Sequence, residues 1–447
     1  MHLARRNERR PAPTRRGWAV ALACAAALVT SAAALPQAQA ASRPATPAAA
    51  AHRPATDRAA LADALEAIHT AGMYGAYAAV RDGDTMWRGA AGVADRDTGR
   101  PVTPDMEQRI GSISKAMTAV ALLQQVAAGR LDLDAPVSRY LPGLVPGQRG
   151  DRITVRMLLN HTSGIGDYVL YAFPSLQTLS TSSLDENRFR HIDPRELVRM
   201  GVQAPPTGAP GEKWSYSNTN YIIAGLLLGK LTGENPERYI TRNVIRRAGL
   251  RHTYFPVSPR ITGPHPKLYE SFYGLIDPPR DYSVYDMSWA GTAGAVVSTM
   301  ADLDRFYRQL LTGRLLPAAE LAEMETTVPM TDDQGNVTGH YGLGLIRFDW
   351  GCGTFWGHSG AVFGAETWGI SSPDGRRQMA LAYNLSKYDK LGPDGTVTPS
   401  PIDDAINTFV AKALCASTTG SPALRSAGVD LAPAHAADWR SLPAARR

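Results

Sequence analysis

The chain has 447 residues, of which 44% are hydrophobic and 20% charged, a composition typical of a soluble globular protein with a large buried core. Most of its net charge of +6 lies at the N-terminus, because residues 1–40 hold six arginines and one acid, which leaves 41 cations against 40 acids in the rest of the chain. The rest of the chain therefore lacks the excess of basic residues typical of nucleic-acid-binding proteins, and we exclude nucleic acid as a partner.

Residues 1–40 have the pattern of an export signal. Arginines precede an apolar run over 17–35, and small residues surround a cleavage position after Ala40. The pair Arg15-Arg16 resembles a twin-arginine signal. An uncleaved membrane anchor fits less well, because Pro36 breaks the run and small residues end it, and lipid attachment at Cys24 lacks the usual leucine three residues before it. We therefore expect a secreted protein that keeps no transmembrane anchor after cleavage.

The rest of the chain divides by composition into three parts. Residues 41–56 are a linker rich in Ala, Pro and Thr, residues 57–416 form one folded domain, and residues 417–447 have the low periodicity of a disordered tail. The mature chain would keep Cys352 and Cys415, and an even pair in an oxidising compartment favours a disulfide over two buried free thiols.

The domain begins with a helix and a hairpin. Apolar residues at helical spacing follow Asp57, a possible cap, and end before Gly72. Residues 74–81 and 85–93 read as two strands joined by a tight turn. A further helix follows Ser112, which places this serine at a helix N-terminus with free N–H groups nearby.

A helix-rich middle region, about 113–290, separates these strands from a second set. Further helices are predicted over 218–231, 300–312, 318–325 and 401–415, and strands over 342–348, 354–356, 366–370 and 378–384. Strands at both chain ends with helices between them predict an α/β (α+β) fold. In this fold one antiparallel sheet is built from both ends, flanked by helices, and carries a helical insertion.

Three short motifs carry the chemistry, and they are S-x-x-K at Ser112–Lys115, Y-S-N at Tyr216–Asn218 and H-S-G at His358–Gly360. A serine hydroxyl is a weak nucleophile that needs a base within hydrogen-bond reach, and residues three apart on a helix are neighbours. Each motif alone has a plain structural explanation, since Y-S-N also caps helices and a lone histidine is usually a core residue. Their order and their context favour one acyl-transfer site.

We assign each remaining motif residue a role. Tyr216 relays a proton, and Asn218 holds the lysine and the substrate. His358, if charged, lowers the pKa of Lys115 by electrostatic repulsion.

The backbone supplies the other expected groups. Ser359 and Gly360 lie on an edge strand that faces the serine, where Gly360 lets substrate approach closely. The N–H groups of Ser112 and Ala361 stabilise the oxyanion.

The chain resembles the serine β-lactamase and D-Ala-D-Ala-peptidase family, also called penicillin-binding-protein-like, in its class C-like branch, for which S-x-x-K is a signature. The resemblance covers roughly residues 58–416. Its motifs lie in the segments 109–115, 158–164, 214–218, 288–290, 293–296 and 341–344. It implies the β-lactamase fold, Ser112 as nucleophile, Lys115 and Tyr216 as acid/base groups, peptides or small molecules as acyl substrates, and β-lactams as inhibitors.

The Trp289 segment and the cysteine pair are most similar to secreted D-Ala-D-Ala carboxypeptidases, which implies that function and a substrate-binding role for Trp289. One departure is important. The arginine and threonine that bind the substrate carboxylate in those enzymes fall on Ile346, with Arg347 beside it, and on Ala361. Arg347 is therefore only a candidate clamp. An esterase, a D-aminopeptidase or amidase, or a β-lactamase of the same fold stays open.

Two other classes compete with this hypothesis. An α/β-hydrolase would use the near G-x-S-x-G segment 357–361, but the only later histidine is His435. A non-catalytic cell-wall sensor could retain the fold, although all the core motif residues are present. No metal-ligand spacing is found. We expect a monomer without metal or cofactor.

Overall fold

The structure is a computed structural model, and it describes residues 57–332, 334–392, 396–415 and Leu431. The predicted export signal, the linker and the rest of the predicted tail lie outside the described residues. Leu431, within that tail, is buried, and its N–H donates to Asn407 Oδ1 at 3.3 Å.

The described elements are numbered here in chain order. The strands are β1 (Gly75–Asp82), β2 (Thr85–Asp95), β3 (Arg100–Pro101), β4 (Gln108–Arg109), β5 (Tyr269–Glu270), β6 (Arg280–Asp281), β7 (Val297–Ser298), β8 (Val328–Thr331), β9 (Val337–Tyr341), β10 (Ile346–Trp350), β11 (Gly353–Val362), β12 (Ala365–Ser371), β13 (Arg377–Tyr383), β14 (Leu385–Ser386), β15 (Lys390–Leu391) and β16 (Val397–Thr398). The α-helices are α1 (Arg58–Thr70), α2 (Ser114–Ala127), α3 (Val137–Tyr140), α4 (Gln148–Arg152), α5 (Val155–Leu159), α6 (Val169–Ala172), α7 (Ser182–Asn187), α8 (Pro194–Gln203), α9 (Asn218–Thr232), α10 (Pro236–Ile240), α11 (Gly291–Gly294), α12 (Met300–Leu311), α13 (Ala318–Glu325) and α14 (Pro401–Cys415).

The main sheet has nine antiparallel strands in the order β3-β2-β1-β13-β12-β11-β10-β9-β8. The N-terminal strand β1 pairs with the C-terminal strand β13, with Ala76 opposite Tyr383. The fold prediction is thereby confirmed, since one antiparallel sheet is built from both ends of the domain and the helices lie between them in sequence.

Helices α1 and α14 cover one face of this sheet. Asp57 begins α1 by accepting the N–H groups of Ala59 and Ala60, as an N-cap does. Side chains from both helices, among them Ile68 and Phe409, join the apolar cluster on that face. A disulfide between Cys352 and Cys415, with Cα atoms 5.5 Å apart, connects the β10–β11 turn to the end of α14. Among the described helices, none is both long and apolar enough to cross a bilayer.

The opposite face carries the larger core, which includes α2, α9 and α12. Helix α2 is buried along most of its length, so its polar residues, among them Lys115, lie in the interior rather than in solvent. A buried charge is costly unless it is hydrogen-bonded, and this burial therefore points to a functional site.

One sequence prediction was wrong here, and a second is correct only in part. The strand predicted over 342–348 is divided, because Gly342–Leu345 forms a turn in which Gly344 has a φ of +81°. Strands β8, β9 and β10 therefore extend the sheet beyond β11. Strand β11 as a whole is internal, since it pairs with both β10 and β12, but its pairing with β10 ends at Gly357. The H-S-G segment is therefore paired within the sheet on its β12 side alone, and this part of the prediction is correct.

Candidate active site

Ser112 lies in a short 3₁₀ helix, Gly111–Ile113, that leads into α2. Gly111 has a φ of +50°, a region that L-residues rarely adopt, and an added Cβ there would lie 2.6 Å from the backbone nitrogen of Ala361. The turn is therefore held tightly against the C-terminal part of β11, where the pairing with β10 has ended.

Gly360, on β11, also permits the close approach of the strand and the serine turn. A Cβ at this position would lie 1.9 Å from the Ile110 carbonyl oxygen and 2.9 Å from the Ser112 nitrogen. Since no side chain separates the two backbones, the N–H groups of Ser112 and Ala361 lie on adjacent segments. This proximity is what a two-donor oxyanion hole requires.

Lys115 is fully buried, and oxygen atoms of three other residues lie within hydrogen-bond distance of its Nζ. They are Ser112 Oγ at 3.0 Å, Asn218 Oδ1 at 2.8 Å and the Ala293 carbonyl oxygen at 2.9 Å. Two of these are carbonyl oxygens that can only accept. In the neutral amine these two oxygens can accept both N–H groups, which leaves the lone pair available to accept the proton of Ser112, as a general base does.

Asp167 fixes the orientation of Asn218. The backbone N–H and the Nδ2 of Asn218 donate to Asp167 Oδ2 at 3.0 and 2.8 Å, and Val169 N–H donates to Oδ1 at 2.9 Å. Burial raises the pKa of Asp167, and these donors oppose the rise. The amide oxygen of Asn218 must then face Lys115. Sequence analysis missed Asp167, and no pattern connects it to a residue 51 positions later.

Tyr216 is buried beside the lysine, with Lys115 Nζ 4.8 Å from the centre of its ring. The rings of His161, Tyr341 and His358 surround it at centroid distances of 4.3, 6.5 and 6.5 Å. The structure thus brings the S-x-x-K and Y-S-N motifs together, as the sequence predicts, in a largely aromatic environment.

His358 does not have the electrostatic role that the sequence analysis assigned to it. Burial, and after it the charge of Lys115, lowers the pKa of His358 to about 3. Tyr341 Oη lies 2.8 Å from its Nε2, and its Nδ1 contacts the Ser359 carbonyl. A ring that is neutral at pH 7 provides hydrogen bonds but not the cation that would lower the pKa of Lys115.

Arg347 lies on β10, opposite Trp356 of β11. Its Nε donates to Asp349 at 3.0 Å, and its side chain is 41% exposed. Its described partner is therefore an acid on the same strand rather than a residue of the site. Ile346, in the arginine slot, is buried in the apolar cluster on the α1 side of the sheet.

Trp289 and Ser359 are both buried. Trp289 packs against Phe173 and Phe363 at ring-centroid distances of 5.6 and 5.5 Å, four residues before the Ala293 carbonyl that binds Lys115. Its contact with substrate stays a prediction. Ser359 pairs with Trp368 of β12.

The arrangement can perform acyl transfer. It combines a serine, a hydrogen-bonded lysine, a buried phenol and two backbone N–H groups in close reach. Within the described ranges, no group of three or more His, Cys, Asp or Glu side chains is placed to hold a metal ion.

Comparison with known proteins agrees with this chemistry. Residues 57–396 match the Beta-lactamase family. The chain is 35% identical over 208 residues to the esterase EstB of Burkholderia gladioli, covering 44% of this chain but only 53% of the esterase. It is 32% identical over 301 residues to penicillin-binding protein 4 of Amycolatopsis lactamdurans, covering 63% of this chain and 73% of that protein.

Solved structures have the same fold. A D-stereospecific amidohydrolase from Streptomyces sp. superposes with a TM-score of 0.68 at 38% identity, covering 74% of this chain and 95% of the other.

Proposed function

The chain belongs to the Beta-lactamase family, and from this premise we propose that it is a secreted serine hydrolase that transfers D-aminoacyl groups from amides and esters to water through an acyl-enzyme on Ser112. The similar amidohydrolase and the esterase EstB support this choice of substrate by their names. The location rests on the signal-like N-terminus alone.

The observation that carries the proposal is that neither position expected to bind a substrate carboxylate holds a cation. The His358 ring is neutral, since burial lowers its pKa to about 3. The two positions at which a carboxypeptidase would bind a terminal carboxylate hold Ile346 and Ala361, and Arg347 is paired with Asp349. A substrate carboxylate would be desolvated here without a built partner, whereas an amide or ester would not.

The geometry gives each step of the reaction a group. Neutral Lys115 takes the proton of Ser112 as Oγ attacks the acyl carbon, and the N–H groups of Ser112 and Ala361 hold the oxyanion. Tyr216 passes a proton to the leaving amine or alcohol. Water then attacks the ester, and Ser112 Oγ leaves with a proton returned from the same groups.

The test is hydrolysis of D-phenylalaninamide and D-alanine methyl ester by the wild-type protein, with the L-enantiomers as controls. We expect turnover of the D-substrates that disappears in Ser112→Ala and falls by about 10²- to 10⁴-fold in Lys115→Ala. Turnover that persists in Ser112→Ala would contradict the nucleophile, and equal rates for both enantiomers would contradict the D-specificity.

A D-Ala-D-Ala carboxypeptidase is the second candidate. Penicillin-binding protein 4, with 32% identity over most of its length, favours it, and Arg347 would have to exchange Asp349 for the substrate carboxylate. Release of D-alanine from a D-Ala-D-Ala-terminated peptide, lost in both Ser112→Ala and Arg347→Gln, would establish this function in place of the first. Fluorescent penicillin that labels Ser112 without any hydrolytic turnover would instead indicate a sensor.

Export is tested separately. Mature protein in the culture medium should begin at Ala41, and intact N-terminal sequence in that fraction would contradict cleavage. The same sample, run on a sizing column, tests the expected monomer.

A further inference from the structure

The segment Leu158–Gly164, which reads L-L-N-H-T-S-G, contains none of the catalytic groups assigned above, yet its histidine lies at the centre of the site. His161 is fully buried and has a φ of +62°. This left-handed conformation is uncommon for residues other than glycine, and it costs of the order of 1 kcal/mol or more when it persists in a fold. Such a conformation is retained only where the surrounding contacts determine it.

Those contacts are made to both sequence neighbours of Tyr216 and to its ring. The carbonyl oxygen of His161 accepts the N–H of Ser215 at 2.8 Å, and its Nδ1 accepts the N–H of Ser217 at 3.2 Å. Its ring packs on Tyr216 with a centroid distance of 4.3 Å and an interplanar angle of 37°. One histidine therefore binds the residue before Tyr216, the residue after it and the phenol ring itself.

The hydrogen bonds also determine which ring nitrogen of His161 carries the proton. Ser163 Oγ accepts the N–H of Ile165 at 3.1 Å and donates to Asn220 Oδ1 at 2.7 Å, so the Asn220 amide nitrogen faces His161 Nδ1 at 3.2 Å. Since two N–H groups point at Nδ1, this atom must be the acceptor, and the neutral ring is protonated at Nε2.

The Nε2 atom is buried and has no hydrogen-bond partner among the described residues. The rings of Tyr341 and Tyr221 pack around His161 at centroid distances of 4.9 and 5.4 Å. Aromatic faces accept an N–H weakly and offer no place for a second charge. Burial, together with the charge of Lys115, lowers the pKa of His161 well below its ordinary value.

We propose that His161 is a positioning residue that holds the Tyr216 phenol in line with Ser112 and Lys115, by clamping the backbone on both sides of Tyr216 and supporting its ring as a neutral Nε2–H imidazole. The inference rests on the acid/base role of Tyr216 and adds a residue to that site. His161 does not act on the substrate, because the phenol ring lies against it.

The experiment is a double-mutant cycle of His161→Asn with Tyr216→Phe. Asparagine tolerates a positive φ, and its side-chain oxygen occupies the place of Nδ1, so the variant keeps the clamp and removes only the supporting ring. The probe is the pre-steady-state burst with p-nitrophenyl acetate, a small ester that reports acylation whatever the natural acyl group is. Rates are divided by the fraction of sites that a fluorophosphonate labels.

We expect His161→Asn to lower the acylation rate constant by about 10- to 100-fold with little change in half-saturating ester concentration, because a displaced group loses rate rather than binding. In the Tyr216→Phe background, where there is no hydroxyl to position, the same change should cost less than about twofold. His252→Asn, at an exposed histidine, is the matched control and should leave acylation unchanged in both backgrounds.

The proposal would be overturned if His161→Asn lowered the acylation rate constant equally in the wild-type and Tyr216→Phe backgrounds. It would also be overturned if the change altered only the half-saturating ester concentration or only the fraction of sites that the fluorophosphonate labels. If His161→Asn does not fold, the proposal is tested instead by nitrogen-15 NMR of histidine-labelled wild-type protein at pH 7, which shows which ring nitrogen of His161 is protonated. A His161 ring protonated at Nε2 supports the inference, and one protonated at Nδ1 or at both nitrogens refutes it. Because acetate transfer needs only a working Ser112, failure to hydrolyse D-aminoacyl substrates would refute the proposed function and leave this test intact.

Discussion

Gly360 offers a direct test of how closely the sheet must approach the nucleophile. In Gly360→Ala the new Cβ would start 1.9 Å from the Ile110 carbonyl oxygen and 2.9 Å from the Ser112 nitrogen. Both neighbours are backbone atoms, and Cβ contacts below 3.0 Å are essentially never observed. Strand β11 and the serine turn must therefore separate by about 1 Å, which removes one oxyanion donor from reach.

Losing one such donor costs about 10²- to 10³-fold in rate, or roughly 3–4 kcal/mol of transition-state stabilisation. We expect this loss in the acylation burst with p-nitrophenyl acetate, with the fold checked by thermal unfolding. Gly229→Ala in α9 is the matched control, because its Cβ would meet nothing closer than 3.4 Å. An acylation rate within twofold of wild type in a folded Gly360→Ala protein would refute the assignment of the oxyanion hole.

Three further predictions concern stability. Replacing Cys352 and Cys415 together by Ser should lower the free energy of unfolding by about 4 kcal/mol, since the bridge closes a loop of 63 residues, and urea titration measures the change. Glu270→Gln should lower the free energy of unfolding by about 3–5 kcal/mol, because the fully buried Lys387 would lose the carboxylate that it contacts at 2.6 Å, whereas the double variant with Lys387→Met should lose less. Burial raises the pKa of Asp304 well above its usual value, so the folded protein keeps a proton there that the unfolded chain releases. The free energy of unfolding should therefore fall as pH rises above about 4, and it should stop falling once the pH exceeds the pKa of Asp304 in the folded protein. Asp304→Asn should remove that part of the pH dependence in urea titrations between pH 5 and 9.

Each of these has a contrary outcome. A reductant that lowers the stability of the double-serine variant as much as that of the wild type would show that the bridge is not responsible. An equal loss of stability in Glu270→Gln and in the double variant with Lys387→Met would mean that the charge left on Lys387 is not the cause of the loss. An unchanged pH slope in Asp304→Asn would place the titrating group elsewhere.

Local signals in the sequence predict much of the fold. The cap at Asp57 and the tight turn between β1 and β2 correctly locate the elements around them, because each depends on residues within one turn of the chain. The division of 342–348 was missed, since a turn at Gly344 depends on close packing against Lys115 and Tyr221, far away in sequence.

The site shows the same limit. Motif order places Ser112, Lys115 and Tyr216 in one centre, because the spacing of reactive groups is itself sequence information. His358 is neutral because it is buried, and Asn218 is held by a residue 51 positions away. No pattern of neighbouring residues predicts either fact. Charge states in a site are thus the part that a motif predicts least well.

The pairing of β1 with β13 determines when this enzyme can become active. The two strands are about 300 residues apart in sequence, yet they are central neighbours in the sheet. During synthesis the hairpin β1–β2 therefore keeps an open edge, and Ser112 has no β11 to face until nearly the whole domain has emerged. An incomplete chain would consequently carry the proposed nucleophile without the proposed oxyanion hole, so we expect hydrolysis to begin only once the sheet has closed.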